Sequence, residues 1–345
     1  MSTVTRLVLV GSLSTLFAGI SSAAVVTEIE PNDSKLTATP AALAVGDSMT
    51  GLSTGSSTTI AGNGSADYFL VSTAVQAPAI YRNRLTITTN GAAGHTGSIR
   101  GLGQTASNAT NASGPGLPNA AALDNTLQSS STITTPARFN QFYTFGRAGQ
   151  LYYRVTGATA TTVDYTSTLS QDVITPVNLG TFPTGSITLT NTGLTSTQDT
   201  EVFVYDSNLS PVAGATNDDF PDGTTVPTGG STLNSLLTRT YAPGTYFVAI
   251  SNFNTADNQL SPADEGTANS NYLDFAGVMA NSSTTALASI PFRLTSGAGN
   301  FDFTATKPGA YDIYWASFTV AVPEPTTLAA LSLGGLLLGR RRPTR

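Results

Sequence analysis

The sequence predicts an all-β protein, folded as one or two antiparallel β-sandwiches with an apolar helix at each end of the chain. Three observations carry this reading. Eleven short segments rich in β-branched and aromatic residues recur along the chain, and Gly, Pro, Asn, Asp and Ser bound them. Outside the two termini no helical period of apolar residues is sustained.

The first element is a leader. Arg6 precedes an apolar run from Leu7 to Ile20, and the small residues Ser21-Ser22-Ala23-Ala24 follow. A basic start, a short apolar core and a small-residue exit make a secretory signal peptide over 1–23, cut by signal peptidase after Ala23 or Ala24. The chain has no Cys. Once exported it rests on its core or on bound metal ions for stability, since no disulfide is available.

The next elements are strands. Over 24–172 they are Tyr68–Val71, Arg84–Thr89, Phe142–Phe145 and Leu151–Thr156, with Asn90-Gly91 as a turn and the Ser-, Asn-, Ala- and Gly-rich stretch 101–135 as a flexible loop. Pro176 lies in the boundary segment Asp172–Asn178. Beyond it, 173–320 carries Ile187–Thr190, Glu201–Tyr205, Tyr246–Ile250, Tyr272–Phe275, Phe292–Thr295, Phe301–Thr304 and Tyr311–Val320. Pro243-Gly244 and Pro308-Gly309 supply turns, because Pro presets φ and Gly accepts a positive one. The division gives two sandwiches; a strand from Tyr311 completing a sheet begun in either half gives one interleaved sandwich instead. Trp315 has apolar neighbours on both faces, which fits a buried strand better than a sugar-stacking platform.

The last element, 321–345, holds Pro323-Glu324-Pro325, an apolar run from Leu328 to Gly339, and Arg340-Arg341-Arg342 near the end. At about 1.5 Å per residue that run is a marginal membrane span, and the arginines orient it with the body outside the inner membrane. The layout resembles the PEP-CTERM sorting signal. The resemblance implies recognition by an exosortase, processing near Pro323-Glu324-Pro325, transient inner-membrane association, and delivery to the cell surface or an exopolysaccharide matrix.

Composition excludes several functions. The chain has 15 Lys+Arg against 21 Asp+Glu, and only 10% of its 345 residues are charged. With Arg6 and the four tail arginines set aside, ten basic residues stand against 21 acidic, a net charge of −11. Such a surface cannot displace counterions from phosphates, so a nucleic-acid partner is excluded. One His and no Cys exclude Cys/His zinc sites and cysteine nucleophiles.

Glu28-Ile29-Glu30-Pro31-Asn32-Asp33-Ser34, then Ala66-Asp67-Tyr68-Phe69, resemble the opening of a bacterial pre-peptidase C-terminal domain. Asp199–Asp206, Asn217-Asp218-Asp219 and Ala242–Ile250 are similar to its later strands. The resemblance implies a jelly-roll-like β-sandwich, and it implies calcium ligands at Glu28, Glu30, Asn32 and Asp33, with Asp67 added from the following loop. Independently, Glu28, Glu30 and Asn32 alternate along an extended segment, so their oxygens fall on one face. Calcium takes about six to eight oxygen ligands. The same residues also admit a solvated acidic turn. Asn217–Gly223 reads as a turn between strands, and Asp199, Glu201 and Asp206 as charges that discourage edge pairing.

No catalytic residues are assigned. His95 lies in the glycine-rich stretch Gly91–Gly97, read as a loop tip rather than as a catalytic base. Gly101-Leu102-Gly103-Gln104-Thr105-Ala106 neither follows a strong strand nor opens a helix, as dinucleotide binding requires. The sequence therefore points to a non-catalytic surface or matrix protein. A calcium-dependent module for polysaccharide or protein is the alternative, and a hydrolase with a hidden carboxylate pair is the remote one.

Overall fold

The computed structural model describes residues 23–52, 66–89, 94–103, 124–130, 138–157, 164–194, 198–220, 231–258, 272–273 and 277–321. The leader 1–22 and the tail 322–345, with Pro323, Glu324, Pro325 and Arg340–Arg342, lie outside these residues. Among the described residues no helix is long and apolar enough to cross a membrane.

In chain order the strands are β1 (Val25–Thr27), β2 (Thr39–Leu43), β3 (Ser48–Gly51), β4 (Asp67–Thr73), β5 (Ile80–Thr89), β6 (Thr96–Gly103) and β7 (Asn125–Ser129). There follow β8 (Arg138–Thr144), β9 (Gln150–Thr156), β10 (Tyr165–Ile174), β11 (Val177–Phe182), β12 (Gly185–Thr190), β13 (Thr200–Tyr205), β14 (Pro211–Asn217) and β15 (Leu236–Tyr241). The last are β16 (Gly244–Asn252), β17 (Thr255–Ala256), β18 (Tyr272–Leu273), β19 (Val278–Asn281), β20 (Leu287–Ser296), β21 (Gly299–Lys307) and β22 (Tyr314–Val320).

These strands form four sheets. In one sandwich the sheet β18-β6-β9-β4-β2, with β7 on β6, faces the sheet β1-β3-β10-β5-β8-β19-β17. In the other, β11-β22-β16-β13-β14 faces β15-β12-β20-β21. Each pair of sheets closes over its own core. Phe69, Val71, Ile99 and Tyr153 meet Leu85, Ile87, Phe142 and Leu169 in the first, and Val202, Val248, Ile250 and Phe318 meet Ile187, Leu189, Phe292 and Leu294 in the second.

A third cluster joins the sandwiches. Ile80, Tyr143, Phe145 and Met279 of the first pack against Phe203, Tyr205, Ala249 and Trp315 of the second. The sheets containing β8 and β13 are thus inner layers, and alternate residues of one strand serve two cores. Phe142 enters the first core and Tyr143 the shared one; Val202 and Val204 enter the second core, while Phe203 and Tyr205 enter the shared one. Every residue of β13 is buried. Trp315, 3% exposed, sits in the shared cluster between Tyr143, Phe145 and Tyr205, a buried strand position as the sequence indicated.

Several expectations need correction. The sheets are not wholly antiparallel: β1–β3, β2–β4 and β11–β22 pair parallel. The ranges 24–172 and 173–320 do not separate the sheets, because β17 and β19 extend the sheet of β8 and β18 pairs with β6. The stretch 101–135 is not simply a loop. Its start completes β6, and Asn125–Ser129 is a strand on β6, while 104–123 and 131–137 lie outside the described residues. The last strand starts at Tyr314, because Tyr311 takes a positive φ of 61° and turns toward the first sandwich, where its hydroxyl donates to the Ser129 carbonyl at 2.7 Å. Glu201 cannot guard an edge, since β13 lies between β16 and β14; it is buried and accepts the Thr255 N–H. Asp206 closes a local turn by accepting the N–H groups of Asn208 and Ser210 at 2.8 and 2.9 Å.

Candidate cation site

The opening segment is stitched to the first sandwich by backbone. β1 runs parallel to β3, with Val25 opposite Ser48 and Thr27 opposite Thr50, and the Glu28 N–H continues the ladder to the Thr50 carbonyl at 3.0 Å. Farther on, the Tyr68 N–H donates to the Asn32 carbonyl at 2.9 Å, which sets Asn32 beside the start of β4. Asp67, the first residue of β4, pairs with Val155 of β9 and is fully buried.

This wrapping brings carboxylates together. One oxygen each from Glu28, Glu30 and Asp67 lies within 4.8 Å of the others. Glu28 Oε1 accepts the Leu52 N–H at 2.8 Å, while Glu28 Oε2 is buried with no hydrogen-bond partner. Glu30 is exposed and accepts the Asn32 N–H at 3.0 Å. Asn32 is fully buried; its amide nitrogen reaches Thr39 Oγ1 at 3.4 Å, and its Oδ1 has no donor. Asp33 stands outside the trio but is 5% exposed, and neither of its carboxylate oxygens has a hydrogen-bond partner. The solvated-turn reading therefore fails for Asn32, Asp33 and Asp67, which water does not reach.

Two residues that the sequence reading missed shape the pocket around Glu28. Gly51 pairs with Tyr165 across β3 and β10. A Cβ on Gly51 would overlap Glu28 Oε2 and lie 2.6 Å from the Tyr165 hydroxyl, so the missing side chain is the space these oxygens occupy. Neither residue carries a sequence mark, because strand pairing brings them together from distant parts of the chain.

The electrostatics are unfavourable to the bare carboxylates. Burial, then the neighbouring Glu28 and Glu30 carboxylates, push the Asp67 carboxyl up to about 9, with the Tyr165 hydroxyl opposing. Buried acceptors without donors are costly, and converging ones more so. The oxygens of Glu28, Glu30 and Asp67 form a hard, oxygen-only donor set, the kind that suits calcium better than zinc, and the buried Asn32 and Asp33 follow Glu30 closely in sequence.

The remaining candidates fall elsewhere. His95 is not at a solvated loop tip: it is fully buried just before β6, its ring 5.1 Å from that of Tyr165, and its carbonyl accepts Arg138 Nη1 at 2.7 Å. Asp218 and Asp219 directly follow β14, whose last residue is Asn217, while Pro221–Gly223 of the expected turn lie outside the described residues; Asp199 joins the two, with one oxygen of each within 4.8 Å. Burial and the Asp219 charge push Asp199 up to about 6. Ala23 and Ala24 are exposed immediately before β1.

Compared with known proteins, the chain matches no family model and no curated protein.

Proposed function

We propose that this is a non-catalytic, exported protein of the cell surface or an exopolysaccharide matrix, its first sandwich closed by calcium at Glu28, Glu30, Asn32 and Asp67. In this proposal an exosortase sorts the chain through Pro323-Glu324-Pro325 and Arg340–Arg342 after signal peptidase has removed the leader. The observation that carries the calcium reading is the set of buried oxygens without donors, Glu28 Oε2, Asn32 Oδ1 and both oxygens of Asp33, beside the Glu28, Glu30 and Asp67 trio. Bound calcium supplies the charge that offsets these carboxylates. Glu28 directly follows β1 of one sheet and Asp67 opens β4 of the facing sheet, so a shared ligand would fasten the N-terminal strand to both.

Calcium titration of the purified chain tests this. A ligand that binds only the folded state adds about 2.7 kcal/mol at one hundred times its Kd. At about 2–4 °C per kcal/mol for domains of this size, the melting midpoint rises by several degrees and chelator reverses it. Asp67→Asn abolishes the response. A midpoint indifferent to millimolar calcium refutes the reading.

A further inference from the structure

A second site lies between the sandwiches. A cavity of about 200 Å³ opens beside the shared aromatic cluster. Its floor is Phe145, Tyr205 and Val278, each no more than 3% exposed, and the two aromatic rings lie 4.9 Å apart at 41°. Asp257, 2% exposed, lines the cavity and accepts the Tyr205 hydroxyl at 2.8 Å. Arg147 stands exposed at the mouth near Asn258. Its guanidinium is held by Ser210 Oγ at 3.0 Å, by the Asn208 carbonyl at 3.3 Å and by the Leu209 carbonyl.

We infer that this cavity binds a single neutral sugar ring, through the Phe145 and Tyr205 rings and hydrogen bonds to Asp257, Arg147 and Asn258. Size sets the first limit: about 200 Å³ is room for one six-membered ring rather than for a long stretch of chain. Charge sets the second. An aromatic pocket with a buried carboxylate alone would suit an amine, but the fixed Arg147 guanidinium balances Asp257 and disfavours a cation. What remains is a ligand with an apolar face for the rings and hydroxyls for the rim. A carboxylate accepts several hydrogen bonds, so Asp257 serves both Tyr205 and a ligand hydroxyl. This inference deepens the matrix-protein reading by naming the polymer class as glycan, and it does not depend on the cation site.

The chain's single Trp reports on the cavity, since Trp315 lies 5.8 Å from Phe145 and 5.7 Å from Tyr205, ring to ring. Free hexoses and N-acetylhexosamines, titrated into the full chain, are expected to shift Trp315 emission and to show saturation-transfer NMR contacts, with affinity in the millimolar range. Asp257→Asn should weaken binding about tenfold, as loss of a charge-assisted hydrogen bond does. Ala148→Phe, at an exposed mouth position, should block it without disturbing the fold. A chain that melts normally yet gives no response to any sugar overturns the inference, as does a response to tetramethylammonium instead. Sugar binding unaffected by Ala148→Phe places the ligand elsewhere and overturns it too. Calcium melts read the other site, so failure of one reading leaves the other standing.

Discussion

Asp67 concentrates the cost of the cation site. Its carboxyl, pushed up to about 9 by burial and by Glu28, holds a proton at neutral pH in the metal-free protein. A carboxyl whose folded pKa lies above its unfolded value of about 3.9 contributes stability that is complete below that value and is lost as pH rises through 9. Metal-free protein should therefore lose stability from this group between about pH 4 and 9, whereas calcium, which needs the ionised form, should bind more tightly as pH rises. Calcium titrated calorimetrically at pH 7.5 in buffers of different ionisation enthalpy should release about one proton; no dependence on buffer contradicts the assignment. Asp67→Asn imitates the protonated carboxyl, so with chelator it should melt no lower than the wild type, and with calcium clearly lower. Gly51→Ala tests the same site through backbone space. Its Cβ claims the volume of Glu28 Oε2, and the crowding should cost about 1–3 kcal/mol while removing the calcium shift. A Gly51→Ala variant that still responds fully to calcium would remove Glu28 Oε2 from the ligand set.

Among the elements, β1 has little support of its own: three residues paired on one side to β3. Its outer end is held by Asp47, which accepts the Ala24 N–H at 2.7 Å through Oδ1 and the Ala44 N–H at 2.8 Å through Oδ2. These two backbone donors, Ala44 first, hold the Asp47 carboxyl below its ordinary value. Cleavage after Ala23 would leave an ammonium at Ala24 facing that carboxylate, a stronger partner than the amide it replaces. If the proposed leader is removed, the mature chain is expected to begin at Ala24 by N-terminal sequencing; a start at Val25 would show that the Asp47 contact does not mark the end. Other elements differ in how plainly they can be read. Strands of the inner sheets are apolar on both faces, so Glu201–Tyr205 and Tyr246–Ile250 stand out as runs and become β13 and β16. Outer or edge strands such as β6 (Thr-Gly-Ser-Ile-Arg-Gly-Leu-Gly), β14 and β2 are built from Thr, Ser, Ala, Gly and Pro, whose composition resembles a turn. Glu28 and Glu30, which the fold does bring to Asp67, share a face by simple alternation, whereas Asp67 was reached through the resemblance alone. Gly51 and Tyr165 were not legible, because only the pairing of β3 with β10 brings them to Glu28.

At the scale of the whole molecule the two sandwiches are tied by chain path as well as by surface. After β16 the chain leaves the second sandwich, adds β17, β18 and β19 to the first, and returns as β20. The crossing is pinned by Asn281, whose amide donates to the Asn252 carbonyl at 2.6 Å and to Thr255 Oγ1 at 2.7 Å. A second tie runs the other way, where Gln141 donates to the Tyr311 carbonyl at 3.0 Å and to Asp312 at 2.9 Å, and Arg82 reaches Asp312 at 3.2 Å. Neither sandwich can open without exposing the cluster around Trp315 or stripping edge strands from its neighbour, so unfolding should be a single cooperative event. Calcium and Trp315 test this together, because the proposed ligands all belong to the first sandwich and Trp315 belongs to β22 of the second. Trp315 fluorescence and far-ultraviolet circular dichroism should melt with one midpoint, and millimolar calcium should raise both by the same number of degrees. If the Trp315 transition came first and ignored calcium, the sandwiches would be independent folding units, and the exchanged strands and the shared aromatic cluster would contribute little to holding them together.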